Sequence, residues 1–114
     1  MAEAFAAEGF GVQLTPESRD GGYDVLAIRH REHTDDEVVL VECKRYNDRR
    51  KVGIEVVRQL VGVVCIESAT RGVIATTSRF SRPAVETARR VGLTLYDLET
   101  LKTWIGDVYA SRSW

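Results

Sequence analysis

The sequence has little of several features that mark whole classes of protein. Its only prolines are Pro16 and Pro83, and no repeat, low-complexity tract or linker-like segment divides its 114 residues. No apolar run approaches the roughly 20 residues of a membrane span, and the opening MAEAFAAEGF lacks the basic start and long apolar stretch of a signal peptide. We therefore expect one cytoplasmic domain over residues 1–114, without a membrane segment.

Cysteine is also scarce. Cys43 and Cys65 both lie in apolar runs, and neither a CxxC motif nor a Cys/His ligand spacing surrounds them. In such runs a free cysteine behaves as a small buried hydrophobe. The sequence therefore predicts buried, unpaired thiols in preference to a disulfide or a metal site.

An excess of basic charge is missing too, because 16 Lys and Arg residues face 17 Asp and Glu residues, for a formal net charge of −1. Composition alone therefore does not predict a nucleic-acid partner. The stretch 44–58 differs, because only Asp48 and Glu55 oppose its basic side chains. Those basic residues are Lys44, Arg45, Arg49, Arg50, Lys51 and Arg58. The stretch is either a solvated loop or a surface that contacts phosphate groups.

The hydropathy pattern predicts a series of short elements. Apolar residues alternate with polar ones in the predicted strands and recur at three- and four-residue spacing in the predicted helices. The elements are, in order, a helix at 2–8, strands at 12–15, 23–28 and 38–44, a helix at 53–66, a strand at 72–77, a helix capped by Ser81 and closed by Gly92, a strand at 93–96 and a helix capped by Asp97. A meander followed by β-α-β crossovers predicts an α/β fold: a mixed sheet of about five strands in the order αβββαβαβα, with helices on both faces.

The third strand carries the residues with the clearest chemistry. Residues 38–41 are apolar on both faces, which is typical of a strand at the centre of a sheet. Glu42 and Lys44 follow at a spacing of two, so their side chains point to one face, about 6 to 7 Å apart along the chain. They can therefore act on one substrate together.

A second carboxylate is predicted to join them from the neighbouring strand. If Ile28 pairs with Val38 and Leu26 with Leu40, the same antiparallel register places Asp24 opposite Glu42. Facing carboxylates repel each other unless one is protonated or a cation lies between them. Asp24 itself comes just after a predicted turn at residues 20–22, at the start of its strand.

A hard divalent cation is the natural occupant of such a position. Magnesium prefers oxygen ligands and is typically held by one or two carboxylates plus phosphate oxygens, and the main-chain carbonyl of Cys43 offers a further oxygen beside Asp24 and Glu42. Such a cation supports hydrolysis of a phosphodiester bond. Lys44 would then hold or polarise the attacking water, or pair with a phosphate oxygen. The simpler alternative is an ion pair between Glu42 and Lys44, with Asp24 as a turn residue.

Four segments occur together in one order: SRDGGYD, VLVECKRY, VVRQLVGV and GVIATTSRF. In this combination the sequence resembles the Mrr-type restriction endonuclease catalytic domain, a family of the PD-(D/E)xK nucleases with the restriction-endonuclease-like fold. The resemblance runs from about Gly9 to the final helix. It implies that Asp24 and Glu42 are metal ligands, that Lys44 is the catalytic lysine, and that Gln59 on the next helix positions catalytic groups or DNA.

The resemblance also implies an activity and partners. It implies an endodeoxyribonuclease that depends on Mg²⁺, with Mn²⁺ as a substitute, and that serves in restriction of foreign or modified DNA. Site choice would require a homodimer, a fused specificity domain or a partner subunit. Two alternatives stay open: a non-catalytic DNA-binding or scaffold domain of the same fold, and a nuclease for junctions or single-stranded DNA.

One departure from the family concerns the first helix. Relatives have a longer helix that brings a further acidic residue towards the metal, whereas here only Glu3 and Glu8 lie on a short one. The alternatives are a truncated chain, a misassigned start and a minimal form of the domain without the acidic helper.

Several further residues have more than one interpretation. We expect DNA contacts from Arg45, Arg49, Arg50, Lys51 and Arg79. The hydroxyls of Thr76, Thr77 and Ser78 either contact phosphates as well, act as caps or are solvated. His30 and His33 are expected to be solvated in a polar turn rather than to bind metal. Trp104 and Trp114 are expected to pack within the protein rather than to stack on bases.

Overall fold

The computed structural model describes residues 1–15, 23–47 and 49–110. The predicted turn at 20–22 lies outside the described residues, as do Pro16, Asp48 and Trp114. The elements are α1 (Ala2–Ala7), β1 (Gly11–Leu14), β2 (Val25–Arg29), β3 (Glu37–Lys44), α2 (Ile54–Ile66), β4 (Arg71–Thr76), α3 (Arg82–Val91), β5 (Thr94–Tyr96) and α4 (Leu98–Ala110). Their order is the predicted one.

The five strands form one mixed sheet in the order β1-β2-β3-β4-β5. β1, β2 and β3 pair antiparallel as a meander, whereas β4 and β5 add in parallel after the crossovers through α2 and α3. The predicted register between β2 and β3 is confirmed, because Leu26 pairs with Leu40 and Ile28 with Val38. β3 is therefore the central strand, and four of its residues in a row are buried.

Two apolar clusters cover the two faces of the sheet. On one face, Leu40 and Ile74 pack against Val57 and Leu60 of α2 and Ala88 of α3. The other face has its own cluster, formed by Phe5, Phe10, Val25, Ala27, Val39, Val41 and Val73, with Trp104 of α4 packed against it. The expectation of helices on both faces is confirmed. A strand covered on both sides loses contact with water along its length, so a polar residue can lie at low cost only where the cover ends.

Aromatic rings connect the first and last helices across the second cluster. The ring of Trp104 stacks on Tyr96 at a centroid distance of 4.9 Å and lies 5.2 Å from Phe5. Its indole Nε1 donates to Glu8 Oε1 at 2.9 Å. This packing confirms the expectation that Trp104 serves the core.

The boundaries of α3 and α4 follow their capping residues. Ser81 Oγ accepts from the amide of Ala84 at 3.2 Å, and Gly92 closes α3 at a φ of 78°, where a side chain would be strained. Asp97 Oδ1 accepts from the amide of Thr100 at 2.9 Å at the start of α4. All three capping predictions are confirmed.

The cysteine prediction is wrong in part. Both thiols are free, but Cys65 is exposed and Cys43 only half-buried. Cys65 lies seven residues after Arg58, on the stripe of α2 that faces solvent, and the neighbouring Ile66 is 82% exposed. The apolar run thus continues past the end of the core. Within the described residues, no helix is both long and apolar enough to cross a membrane.

The contact between α2 and β4 leaves no room for a side chain at Gly72. A Cβ there would lie 2.7 Å from Leu93 Cδ2 and 2.9 Å from Val64 Cγ2. We expect Gly72→Ala to lower the free energy of unfolding by about 1–3 kcal/mol, the usual effect of overpacking. Urea denaturation measures this change.

The matched control is Gly62→Ala on α2, where a Cβ would meet nothing within 4 Å. Because glycine disfavours a helix interior, this variant should gain about 0.5–1 kcal/mol. Equal effects of the two substitutions would contradict the packing described here.

Candidate functional site

Glu42 and Lys44 lie at the carboxyl end of β3, on the face that carries Leu40 and is covered by α2 and α3. Lys44 Nζ lies 3.0 Å from Glu42 Oε1, and the side chain of Glu42 is only 10% exposed. The second carboxylate oxygen, Oε2, is buried and has no hydrogen-bond partner among the described residues. An ionised oxygen in that position is costly unless a cation or a donor joins it.

Asp24 approaches the same strand end from β2, but not as a ladder partner of Glu42. The ladder ends with the pair of Val25 and Val41, and the amide of Asp24 donates to the Val41 carbonyl at 2.7 Å. Asp24 Oδ2 accepts from the amide of Cys43 at 2.6 Å. The predicted Asp24–Glu42 pair is therefore replaced by a carboxylate that binds the main chain next to Glu42.

This hydrogen bond also orients the Cys43 carbonyl. The N–H and C=O of one strand residue point towards the same neighbouring strand. Because the Cys43 amide faces Asp24, its carbonyl faces that side as well. On the opposite side the Lys44 carbonyl accepts from Thr77 at 3.3 Å. The Cys43 side chain packs with the second cluster, so it is the main chain of this residue that offers an oxygen to the site.

The donor set fits a hard divalent cation. It contains the exposed Asp24 carboxylate, the orphaned Oε2 of Glu42 and the Cys43 carbonyl, all of which are oxygens. Not all of these oxygens come from side chains, however: no group of three or more His, Cys, Asp or Glu side chains suited to a metal occurs in the part of the chain that the structure describes. A fully formed side-chain cage is thus absent from residues 1–15, 23–47 and 49–110.

Burial and neighbouring charges both shift the pKa values of Glu42 and Lys44. Desolvation raises the pKa of Glu42 above its ordinary value of 4.5, although Lys44 lowers it, and the charge of Asp24 raises it further. The hydrogen bond to Glu42 raises the pKa of Lys44 above 10.5 despite partial burial. Lys44 is therefore a cation at neutral pH, and the structure does not provide the depressed pKa that a general base would require.

The two acidic candidates of the first helix, Glu3 and Glu8, have different surroundings. Glu3 lines a cavity of about 650 Å³ together with Asp24, Cys43 and Arg45. Glu8 instead accepts from Trp104 and sits at the end of α1. Glu3 therefore shares a cavity with Asp24, whereas Glu42 and Lys44 do not line that cavity.

Gln59 lies on α2, on the side of the sheet that carries Glu42, and is exposed. No hydrogen bond within the described residues joins it to Asp24, Glu42 or Lys44. Its predicted role stays a prediction.

The predicted basic residues surround this end of the sheet. Residues 45–47 and 49–52, called the basic loop, follow β3 beyond Lys44, and Arg45, Arg49 and Lys51 are exposed. The amide of Val52 donates to the Arg79 carbonyl at 2.8 Å, which brings Arg79 alongside the loop. Arg50 is exposed as well, with its guanidinium 4.0 Å from the ring centroid of Tyr46.

Of the three hydroxyl side chains at the end of β4 and just after it, two are not available for DNA. Thr76 is 1% and Ser78 3% exposed. Thr76 Oγ1 accepts from the amide of Ser78, and Ser78 Oγ donates to the Arg50 carbonyl. Thr77 is exposed, yet its Oγ1 donates to the Tyr46 carbonyl at 3.0 Å. The phosphate-contact interpretation is wrong for Thr76 and Ser78, whose bonds a hydropathy pattern cannot show.

The polar turn between β2 and β3 is solvated, as expected. The His30 side chain is 81% exposed and its Nδ1 lies 2.8 Å from Asp36 Oδ1. His33 is exposed at a φ of 68°.

The chain thus has a mixed five-stranded sheet with Glu42 and Lys44 at the carboxyl end of its central strand and Asp24 beside them. A model of the Mrr catalytic-domain family, described as restriction endonuclease, matches residues 1–105. The chain belongs to this family.

A curated relative is an uncharacterized protein, y4cE of Sinorhizobium fredii (strain NBRC 101917 / NGR234). It is 35% identical over 89 residues, which cover 75% of this chain and 22% of that protein. The chain therefore spans about a fifth of the length of this relative.

Solved structures share the fold. The MspJI restriction endonuclease in complex with a 27-mer oligonucleotide matches with a TM-score of 0.66 and 26% identity, over 90% of this chain and 24% of that one. The DNA modification-dependent restriction endonuclease AspBHI matches at 0.64 and 20%, over 96% and 35%. AF1548, a protein of unknown function, matches at 0.66 and 23%, over 84% and 53%.

The raised pKa of Glu42 predicts a pH dependence of stability. The folded protein holds a proton on Glu42 more tightly than the unfolded chain does, so the ionised carboxylate costs stability as the pH rises above 4.5. With chelator present, the stability of the unmodified protein relative to Glu42→Gln should therefore increase as the pH falls from 7 to 5. Urea denaturation of both proteins at the two pH values measures the difference, and a difference that is constant or falls would contradict the assignment.

Proposed function

We propose that this chain is a metal-dependent endodeoxyribonuclease domain that hydrolyses phosphodiester bonds in DNA. The observation that carries the proposal is the buried, unpartnered Oε2 of Glu42, at a strand end where Asp24, the Cys43 carbonyl and Lys44 meet. Membership of a restriction endonuclease family supports it. The proposed catalytic module comprises residues 1–114 as one domain.

The oxygens of Asp24, Glu42 and Cys43 would hold the cation, which we infer to be Mg²⁺, with Mn²⁺ as a substitute. When bound, this cation supplies Lewis acidity at a phosphoryl oxygen and offsets the charge that develops there. It also relieves the repulsion between the two carboxylates. The hydrogen bond from the Cys43 amide holds Asp24 in place for this role.

Lys44 acts as a fixed positive charge in this proposal. Its Nζ is held by Glu42 Oε1, and its raised pKa keeps it protonated. An ammonium in that position orients a water molecule or pairs with the oxygen of the scissile phosphate. Gln59, on the same side of the sheet, is proposed to position DNA or a catalytic group.

DNA is the proposed partner. MspJI was solved with an oligonucleotide and AspBHI is named as DNA modification-dependent, so foreign or modified DNA in restriction is the proposed substrate. The phosphate backbone would lie along the basic rim. This rim consists of Arg45, Arg49, Arg50, Lys51 and Arg79. Because the chain spans only part of its relatives, we propose that a fused domain, a partner subunit or a second copy selects the site.

A binding domain without catalysis is the second candidate. The Glu42–Lys44 ion pair satisfies one carboxylate oxygen without any metal, and the formal net charge is only −1. A nuclease for junctions or single strands would use the same residues, and competition among these DNA forms distinguishes it.

The first test uses supercoiled plasmid, methylated and unmethylated, with Mg²⁺, Mn²⁺ or chelator. We expect nicking or linearisation that requires the metal and falls at least about 100-fold in Asp24→Asn, because that change removes one anionic ligand. Asp107→Asn, an exposed carboxylate on α4, is the matched control and should cut normally.

Activity retained by Asp24→Asn would refute the metal-site assignment. Metal-independent binding without any cutting would favour the non-catalytic domain.

The second test concerns the basic rim. Arg49→Ala or Lys51→Ala should weaken duplex binding and reduce the slope of log affinity against log salt by about one, because one phosphate contact is lost. Arg90→Ala, in the last turn of α3, serves as the charge-matched control and should leave the slope unchanged. An equal loss in all three variants would mean that only overall charge matters.

A further inference from the structure

Ser78 is a buried hydroxyl for which the proposed chemistry has no use. It is 3% exposed, its Oγ donates to the Arg50 carbonyl, and its amide donates to Thr76 Oγ1 at 3.1 Å. A hydroxyl taken out of water is tolerated only where it is hydrogen-bonded. The group that it satisfies belongs to the main chain of the basic loop, 28 residues away in sequence.

Further bonds connect the same two segments. Thr77 Oγ1 donates to the Tyr46 carbonyl at 3.0 Å, so the beginning of the basic loop is held as well as its middle. At its end, the amide of Val52 donates to the Arg79 carbonyl at 2.8 Å, and the Val52 carbonyl accepts from Ser81 at 2.9 Å. We call residues 76–81 the latch segment. It binds the loop at three separate points.

Two of the loop residues that the latch segment holds, Tyr46 and Arg50, also contact each other through their side chains. The Arg50 guanidinium lies 4.0 Å from the centroid of the Tyr46 ring, and both residues have their carbonyls held by the latch segment. The amide of Arg49 is bound by Asn47 Oδ1 at 3.0 Å. A loop that is ordered before binding loses less conformational entropy when a ligand arrives.

Main-chain bonds also connect the latch segment to β3, the strand that carries Glu42 and Lys44. Thr76 is the parallel partner of Lys44, and the Thr77 amide donates to the Lys44 carbonyl. The attachment points of the loop are therefore set relative to Lys44 and Glu42 by main-chain bonds.

We propose that Ser78 is a positioning residue for DNA: by holding the Arg50 carbonyl, it fixes the basic loop beside Glu42 and Lys44. The cations of the loop then meet phosphates that flank the one at Lys44. This inference rests on the proposed nuclease function, and it assigns Ser78 no contact with the substrate.

The test compares Ser78→Ala with Ser81→Ala. Ser81 is a serine of the same segment whose side chain caps α3 and does not hold the loop, so its loss lowers stability without freeing Arg50. We expect Ser78→Ala to raise KM for duplex DNA by on the order of tenfold, the effect of leaving one or two side chains to be ordered on binding. The kcat at saturating DNA should change less than about threefold, since uniform binding is what is lost.

Two measurements accompany the kinetics. Binding affinity is determined in the Asp24→Asn background, where cutting does not interfere, and should fall by a similar factor. Hydrogen exchange of the Val52 amide, which the latch segment protects, should be faster in Ser78→Ala than in Ser81→Ala. If Ser78→Ala does not fold, Thr77→Val replaces it, because Thr77 is exposed and holds the loop through Tyr46.

The outcomes separate the two proposals. Equal KM and equal affinity in Ser78→Ala and Ser81→Ala would overturn the role of Ser78 and leave the nuclease intact. A fall in kcat with KM unchanged would also overturn it, because it would place Ser78 in the chemistry. Absence of DNA binding by the unmodified protein would overturn both proposals.

Discussion

The carboxylate of Glu42, at the end of a strand covered on both faces, is the constraint on which the site depends. Burial opposes its charge, and Lys44 satisfies only one of its two oxygens. The other oxygen needs a partner from outside the described contacts. The charge of Asp24 adds to the negative charge beside it, which increases the demand for a cation. The carboxyl end of β3 therefore carries negative charge that the described contacts do not compensate, and a bound cation can neutralise it.

Much of the fold followed from periodicity. The apolar run at residues 38–41 identified the central strand, and the alternation in β2 was sufficient to define its register with β3, because a slip of one residue would turn every side chain to the other face. Glu42 and Lys44 were placed on one face by their spacing alone. The last predicted pair did not form: the Asp24 amide binds the Val41 carbonyl and the Asp24 carboxylate binds the Cys43 amide, and the ladder ends with Val25 and Val41.

What periodicity did not show depends on contacts between distant segments. The exposure of Cys65 depends on where α2 leaves the core, and the burial of Ser78 depends on a carbonyl in another loop. Likewise, the choice between Glu3 and Glu8 required the position of Trp104. A hydropathy pattern indicates which side chains face the interior, but it does not identify the main-chain groups that they contact there.

The bond between Trp104 and Glu8 joins residues 96 apart in sequence. Closing so long a loop costs more chain entropy than forming a helix or a hairpin, so we expect α1 and α4 to meet after the local elements have formed. During synthesis α1 precedes α4, so α1 lacks this anchor until α4 has been made. We therefore expect the cavity that Glu3 lines to be among the last features to assemble, so that the order of synthesis differs from the order of completion.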